Sequence, residues 1–377
     1  MKVTLLQENL ARGLGIVSRA VSPRSTLPVL ANILIATDEG RLRLSATNLE
    51  MGITCWVAAR IEDEGSTTVP ARTLADLVNT LPGEQVALYL DVSTQTLNVR
   101  SGTSTNDIKG IDAQEFPPLP VPDMEGAVQL NVVDFREMIH QVAFAASTDE
   151  ARPVLMGVLV IVDGERITMA AADGFRLSVR SANLSTPASQ PVNIIVPARA
   201  LNELARIASD GEETISMVVP KGRGQVVFRV KDVELVSQLI DGTFPDYQQI
   251  IPRSYKSRTL VSTSSLLKAC KQAEIFARDG SNVARLDIKA AQGEMEASEV
   301  EISATSEETG KNETIVEATV DGSGVLIAFN VKYLREALEI IRTPNVALET
   351  SAANAPGVIR PVGEDDFLHV IMPMHLG

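Results

Sequence analysis

The sequence predicts an α+β protein made of one unit of about 120 residues repeated three times, head to tail. Three markers carry that reading. Val69-Pro70-Ala71-Arg72 returns as Val196-Pro197-Ala198-Arg199 and, more loosely, as Phe329-Asn330-Val331-Lys332, each time after close to a third of the chain. Leu44-Ser45-Ala46-Thr47-Asn48 returns as Met169-Ala170-Ala171-Ala172-Asp173 and as Ile302-Ser303-Ala304-Thr305-Ser306, ahead of the first marker by nearly the same distance in every copy. An apolar helical stripe precedes both in every copy, at 10–17, 135–142 and 266–273. Such intervals have the size of whole domains, far above the period of solenoid repeats.

Within each copy the apolar period switches between helical and extended. Leu10, Leu14 and Val17, and then Phe135, Met138, Ile139 and Val142, recur at steps of three and four, which predicts amphipathic helices. Thr263 and Ser264 offer capping oxygens before the third of them. Val- and Ile-rich runs at 32–37, 158–162 and 226–230 are followed or preceded by Asp38-Glu39-Gly40, Asp163-Gly164 and Gly222-Arg223-Gly224, which are hairpin signals. The Val-Pro-Ala-Arg segments deliver a proline to a helix start, where its missing N–H costs little. Each copy therefore holds two helices and antiparallel strands. Proline-rich stretches at 116–126 and 244–252 predict linkers, and hence domains at 1–125, 126–256 and 257–377.

Composition excludes several classes. Cys55 and Cys270 alone cannot build a disulfide framework or a metal-spaced motif, and both read as core thiols. No run approaches the ~20 apolar residues of a membrane span, and Glu8, Arg12 and Arg19 interrupt the place of a signal peptide, so a cytoplasmic protein is expected. His140, His369 and His375 form no motif, and Gly310-Lys311-Asn312 lacks the spacing and hydroxyl of a phosphate loop. No catalytic residue, metal or cofactor is expected.

With 48 acidic and 34 basic residues the net charge is -14, the wrong sign for a chain that wraps nucleic acid with its whole surface. The distribution differs from the sum. The six predicted helices hold 12 basic and 8 acidic residues, so they carry +4 and leave -18 to the rest. Helices gathered on one side would give a weakly positive face inside a negative shell. Head-to-tail contacts between repeats close into rings when the rotation allows.

The chain resembles the bacterial sliding clamps, the β subunits of DNA polymerase III, over essentially its full length. The residues that carry the resemblance are Arg24 with Thr26-Leu27-Pro28-Val29-Leu30, the two Val-Pro-Ala-Arg segments, Ala172-Asp173-Gly174-Phe175-Arg176-Leu177, Asp241-Gly242-Thr243-Phe244-Pro245-Asp246-Tyr247, Phe329-Asn330-Val331-Lys332-Tyr333-Leu334 and Met372-Pro373-Met374-His375-Leu376. The resemblance implies the DNA clamp fold: three clamp domains forming half of a closed ring, and a head-to-tail homodimer whose twelve helices surround duplex DNA. Twelve helices at ~10 Å spacing give a bore of roughly 28 Å, wide enough for a duplex and a water layer.

The resemblance further implies a processivity factor without catalysis, holding DNA by sequence-independent contacts and tethering the replicative polymerase, a clamp loader and other clamp-motif proteins such as repair polymerases, ligase and mismatch-repair proteins. It places an apolar partner-peptide pocket at Leu155, Ala172, Gly174, Phe175, Arg176, Leu177, Pro245, Gln249, Ile250, Pro356, Val370, Met372, Pro373, Met374 and His375. The chain departs from the common pattern at Ala172, Phe175, Gln249 and His375. It places DNA contacts at Arg24, Arg72, Arg152, Arg199 and Lys332, and the dimer seam at Thr103, Thr105, Ile108, Ile275 and Phe276. The reading from a different class is a triplicated peptide-binding scaffold that does not encircle DNA.

Overall fold

The computed structural model describes residues 1–120, 123–208, 211, 214–278, 281–291 and 298–375. The first copy runs β1 (Lys2–Leu6), α1 (Gln7–Val17), β2 (Asn32–Asp38), β3 (Arg41–Thr47), β4 (Met51–Val57), β5 (Arg60–Asp63), β6 (Ser66–Pro70), α2 (Ala71–Thr80), β7 (Gln85–Asp91), β8 (Thr96–Ser101) and β9 (Ser104–Lys109). The second runs β10 (Val128–Asn131), α3 (Val132–Val142), β11 (Gly157–Asp163), β12 (Arg166–Ala172), β13 (Arg176–Asn183), β14 (Val192–Pro197), α4 (Ala198–Ile207), β15 (Thr214–Val218), β16 (Gln225–Val230) and β17 (Val233–Gln238). The third runs β18 (Ser257–Ser262), α5 (Thr263–Ala277), β19 (Val283–Lys289), β20 (Glu299–Ser306), β21 (Gly310–Gly322), β22 (Val325–Asn330), α6 (Val331–Ile340), β23 (Asn345–Thr350), β24 (Gly357–Pro361) and β25 (Phe367–Ile371). The order strand, helix, strands, helix, three strands thus occurs three times.

The local signals act as expected, with one correction. Glu39 and Gly40 both take positive φ in the β2–β3 turn, as a tight hairpin demands, and Pro70 caps α2. The cap of α5 is Ser262, whose hydroxyl accepts from the Ser265 N–H at 3.4 Å. Thr263 instead donates its hydroxyl to the Thr343 carbonyl at 2.7 Å. Because the Thr263 hydroxyl is engaged there, the cap falls one residue earlier than the sequence suggests.

Alternating apolar residues of the strands pack against the helices. In the third copy, Leu266, Cys270 and Ala273 of α5 and Leu334 and Leu338 of α6 pack on Leu286, Ile302, Val316 and Ile327. Both cysteines are core thiols: burial pushes Cys55 up to about 11 and Cys270 up to about 12. Among the described residues no helix is long and apolar enough to cross a membrane.

The chain forms two compact units, Met1–Val133 with Arg199–Leu239, and Asp134–Ala198 with Ile240–Gly377. The first holds a five-stranded sheet, β5-β1-β7-β8-β9, and an eight-stranded sheet, β10-β15-β16-β17-β4-β3-β2-β6. The second holds a twelve-stranded sheet, β14-β11-β12-β13-β25-β24-β23-β18-β21-β20-β19-β22.

Each unit contains one junction between successive copies, and the two junctions are the same object. In the first unit β4 pairs antiparallel with β17, Cys55 opposite Val233; in the second β13 pairs with β25, Arg180 opposite Phe367. Counterpart backbone bonds flank both ladders. The main-chain N–H of Trp56 donates to the Asp232 carbonyl and that of Ser181 to the Asp366 carbonyl, both at 2.9 Å. Gln238 N–H donates to the Glu50 carbonyl and Met372 N–H to the Phe175 carbonyl, both at 2.8 Å. Even the ion pairs correspond: Arg41–Asp232 at 2.8 Å and Arg166–Asp366 at 3.6 Å.

Candidate partner groove and basic helix starts

The second junction brings together several of the residues expected to form a pocket. Ala172 ends β12, Leu177 lies in β13 and Val370 in β25, and their side chains share one apolar cluster with Leu159, Ala170, Val179, Ile195, Phe244 and Val358. Val154, Ile240, Tyr247 and Ile251 pack on its flank. Among the large apolar side chains that stand open at the surface of this unit are Phe175 at 55%, Ile250 at 38% and Met372 at 37% exposure. The Met372–Phe175 backbone bond sets two of them side by side. Solvent-facing apolar groups of this kind mark interaction surfaces when they gather, and an unbranched thioether adapts to varied ligands.

The turn that leads into β13 is built around Asp173. Its carboxylate accepts from the N–H groups of Phe175 and Arg176 at 2.9 and 3.0 Å and from Arg176 Nε at 3.0 Å. Gly174 holds φ +95, a left-handed conformation, and Arg152 Nη1 sits 3.0 Å from where a Cβ would be. A side chain there is opposed both by the backbone and by that guanidinium.

Arg176 is placed differently from an open pocket residue. It is only 9% exposed. Besides Asp173 it donates to the Glu336 carboxylate and, at 2.9 Å, to the Phe144 carbonyl, and its guanidinium lies over the Tyr333 and Phe144 rings at 4.2 and 5.2 Å. It anchors the turn from beneath. Gln249 donates to Asp246 at 2.8 Å beside Pro245, and Leu155 lies in a short turn starting at Pro153. Met374 N–H donates to the Ala328 carbonyl at 2.8 Å, which ties the end of the chain to β22. His375 is exposed; Leu376 of the terminal motif lies outside the described residues.

Phe144, Tyr333 and Glu336 were invisible to sequence reasoning as partners of Arg176, because they are remote in sequence and come from two copies of the repeat. Phe244 was read only as part of a linker, whereas its side chain packs in the apolar cluster.

The basic candidates occupy repeated positions. Arg72, Arg199 and Lys332 are each the second residue of their helices α2, α4 and α6, and each is exposed. Arg72 reaches Asp76 at 3.5 Å with its side chain 94% exposed, a contact of little energetic weight. Arg24 is exposed in the turn before Pro28, and Arg152 pairs with Asp149 at 3.0 Å. Other helix cations are consumed internally: Arg335 is held by Glu274 at 2.6 Å and Glu339 at 2.8 Å, and Arg19 by Glu203 at 3.1 Å.

The seam candidates fall on two elements. Thr103 is in the β8–β9 turn and Thr105 in β9, both exposed, whereas Ile108 is buried in its own unit. Ile275 is 57% exposed on α5, and Phe276 packs against the core of the third copy. Among the described residues the second edge of β9, and that of β21 over 310–317, has no ladder partner.

Comparison with known proteins agrees along the whole chain. Models of the DNA polymerase III beta subunit match as N-terminal domain over residues 1–120, central domain over 129–246 and C-terminal domain over 248–375. The beta sliding clamp of Synechococcus elongatus is 33% identical over 380 residues, covering 100% of both chains. That of Bacillus subtilis is 31% identical over 385 residues, covering 99% of both. The crystal structure of the Bacillus subtilis sliding clamp matches with a TM-score of 0.93 at 30% identity, and that of the Pseudomonas aeruginosa clamp bound to griselimycin with 0.92 at 28%, each over 100% of both chains.

Proposed function

The chain belongs to the bacterial β sliding clamp family, the β subunits of DNA polymerase III, and from that membership we propose how its residues do the work. It is a processivity factor without catalysis of its own. Its domains are 1–125, 126–256 and 257–377, and it works in the cytoplasm as a head-to-tail dimer around duplex DNA.

The observation that carries the ring is the reuse of one junction. Twice within the chain, the third strand after a copy's first helix pairs with the last strand of the next copy, in one register. The two strands left over, β21 of the third copy and β9 of the first, are the members of a third such junction. A second chain supplies it. Transferring the register sets Ser104 opposite Thr314, Thr105 opposite Glu313, Asn106 opposite Asn312, Asp107 opposite Lys311 and Ile108 opposite Gly310 of the other protomer. The exposed Ile275 lies on α5, the helix that packs on β21 in this copy.

Arg24, Arg72, Arg152, Arg199 and Lys332 serve as weak phosphate contacts that allow sliding. The apolar groove at the second junction, rimmed by Phe175, Ile250, Met372 and Pro356, takes short segments of the polymerase, the clamp loader and repair proteins. No observation favours a scaffold that leaves DNA outside.

Light scattering tests the ring. A mass of twice 40.5 kDa, together with retention on circular DNA and loss from the same DNA when linearised, is the expected result. A 40.5 kDa monomer at all micromolar concentrations, or equal retention on both DNA forms, would sink it.

A further inference from the structure

The shared register lets the two junctions be compared residue by residue. Where the second has Phe175, Leu177 and Met372, the first has Glu50, Gly52 and Gln238. The first rim is therefore polar, and its floor lacks a side chain.

That missing side chain is replaced by the linker. A Cβ built on Gly52 would lie 2.6 Å from Leu119 Cδ2, so Leu119 occupies the volume that Leu177 fills at the other junction. Leu119 packs there with Val29, Leu30, Leu34 and Phe116. The first three are the counterparts of Val154, Leu155 and Leu159. Tyr247 follows Phe244 by the same step as Leu119 follows Phe116 and packs beside the second cluster, but Leu177 already holds the floor there.

We infer that the first junction is a copy of the partner groove closed in cis: the linker at 116–120 is its resident ligand and Leu119 is the side chain that seats it. Each chain then offers one apolar groove to other proteins and not two. The inference rests on the partner-groove reading for the use of the second junction, but the seat of the linker does not depend on it.

The chain supplies its own reporter. Trp56, the single tryptophan, lines the same cavity of about 400 Å³ as Leu119 and Pro120. Replacing Leu119→Ser in the full-length protein should at least double the acrylamide quenching constant of Trp56 and move its emission to the red. Leu119→Met should keep the wild-type values. Gly52→Leu, which fills the floor from the other side, should behave like Leu119→Ser. Wild-type quenching in a folded Leu119→Ser variant would overturn the inference, and so would equal quenching gains in the Ser and Met variants. Because both readouts concern Trp56, a failure of the second groove to bind any partner would leave this result intact.

Discussion

Arg176 donates to the carboxylate of Glu336 although 160 residues separate them. The pair joins the turn before β13 to helix α6, and the guanidinium is buried against the Tyr333 and Phe144 rings. Removing the cation would leave Asp173 to the two N–H groups of the turn and Glu336 to Arg335 at 3.7 Å. Arg176→Met is expected to cost about 3 kcal/mol of stability, the range for breaking a buried pair from one side, read from urea unfolding. Arg176→Lys keeps charge but loses the planar fork, and should recover less than half of that loss. A cost below about 0.5 kcal/mol for the Met variant would show that the turn stands without its anchor.

A second buried group makes stability depend on pH. His369 in β25 is completely buried, with Nδ1 2.7 Å from Ser178 Oγ and its ring stacked on Phe144 at 5.5 Å. Burial first, and then the nearby Arg176 guanidinium, pushes its pKa down to about 3. The unfolded chain takes up a proton below pH ~6.5 that the folded chain refuses until about pH 3. Stability therefore falls as the pH drops from about 6.5 toward 3, at up to about 1.4 kcal/mol per pH unit for this one group. Above pH 6.5 the histidine contributes no slope. Urea unfolding of wild type and His369→Gln at pH 7.5, 6.5, 5.5 and 4.5 should show the difference between them changing only on the acid side. A constant difference across that range would mean the ring is protonated while folded.

The groove itself is tested at its rim. Met372 is 37% exposed, so Met372→Asp should leave folding within about 0.5 kcal/mol of wild type. It should weaken a polymerase-derived peptide at least tenfold, because a carboxylate in an apolar contact stays unpaired. Calorimetric titration decides it. An unchanged affinity would remove Met372 from the contact surface.

Much of this was legible in the sequence, and the limits have physical causes. Val-Pro-Ala-Arg, the hairpin turns and the apolar stripes are local signals, so the repeat and its two helices could be read directly. The register of β4 with β17 and of β13 with β25 could not, since strands separated by more than a whole repeat leave no local trace of their pairing. Arg176 shows the same limit. Its motif neighbours marked it for the pocket, whereas its burial depends on Phe144, Tyr333 and Glu336, which only the folded chain brings near. The charge count on the helices was right as a sum, yet Glu274, Glu339 and Glu203 neutralise Arg335 and Arg19 through contacts that the count could not register.

For DNA, Arg24 and Arg199 are exposed and carry the prediction best. Each phosphate contact contributes about 0.9 to the slope of log affinity against log salt. The double variant Arg24→Glu, Arg199→Glu should reduce that slope by about 2 on circular duplex DNA and shorten retention at moderate salt, with the dimer unchanged. An unaltered slope would assign both side chains to solvation of the protein surface.

The seam offers the sharpest test, because it follows from the chain's own two junctions. At each of those an Arg–Asp pair lies beside the ladder, Arg41–Asp232 and Arg166–Asp366. The proposed third junction has Glu299 and Thr103 at the counterpart positions, so it lacks that tie. Within the transferred register the one pair of opposite charges is Asp107 with Lys311, both exposed in the single chain. Opposite charges directly across a ladder contribute roughly 0.2 to 1 kcal/mol, and like charges there are destabilising. Because the closed dimer holds this seam twice, Asp107→Lys and Lys311→Asp should each raise the dimer dissociation constant by up to about thirtyfold, measured by sedimentation at nanomolar to micromolar concentration. Combining the two substitutions should restore it, since the pair is re-formed with its signs exchanged. Additive weakening in the double variant would show that the two residues do not face each other and that the third junction uses another register.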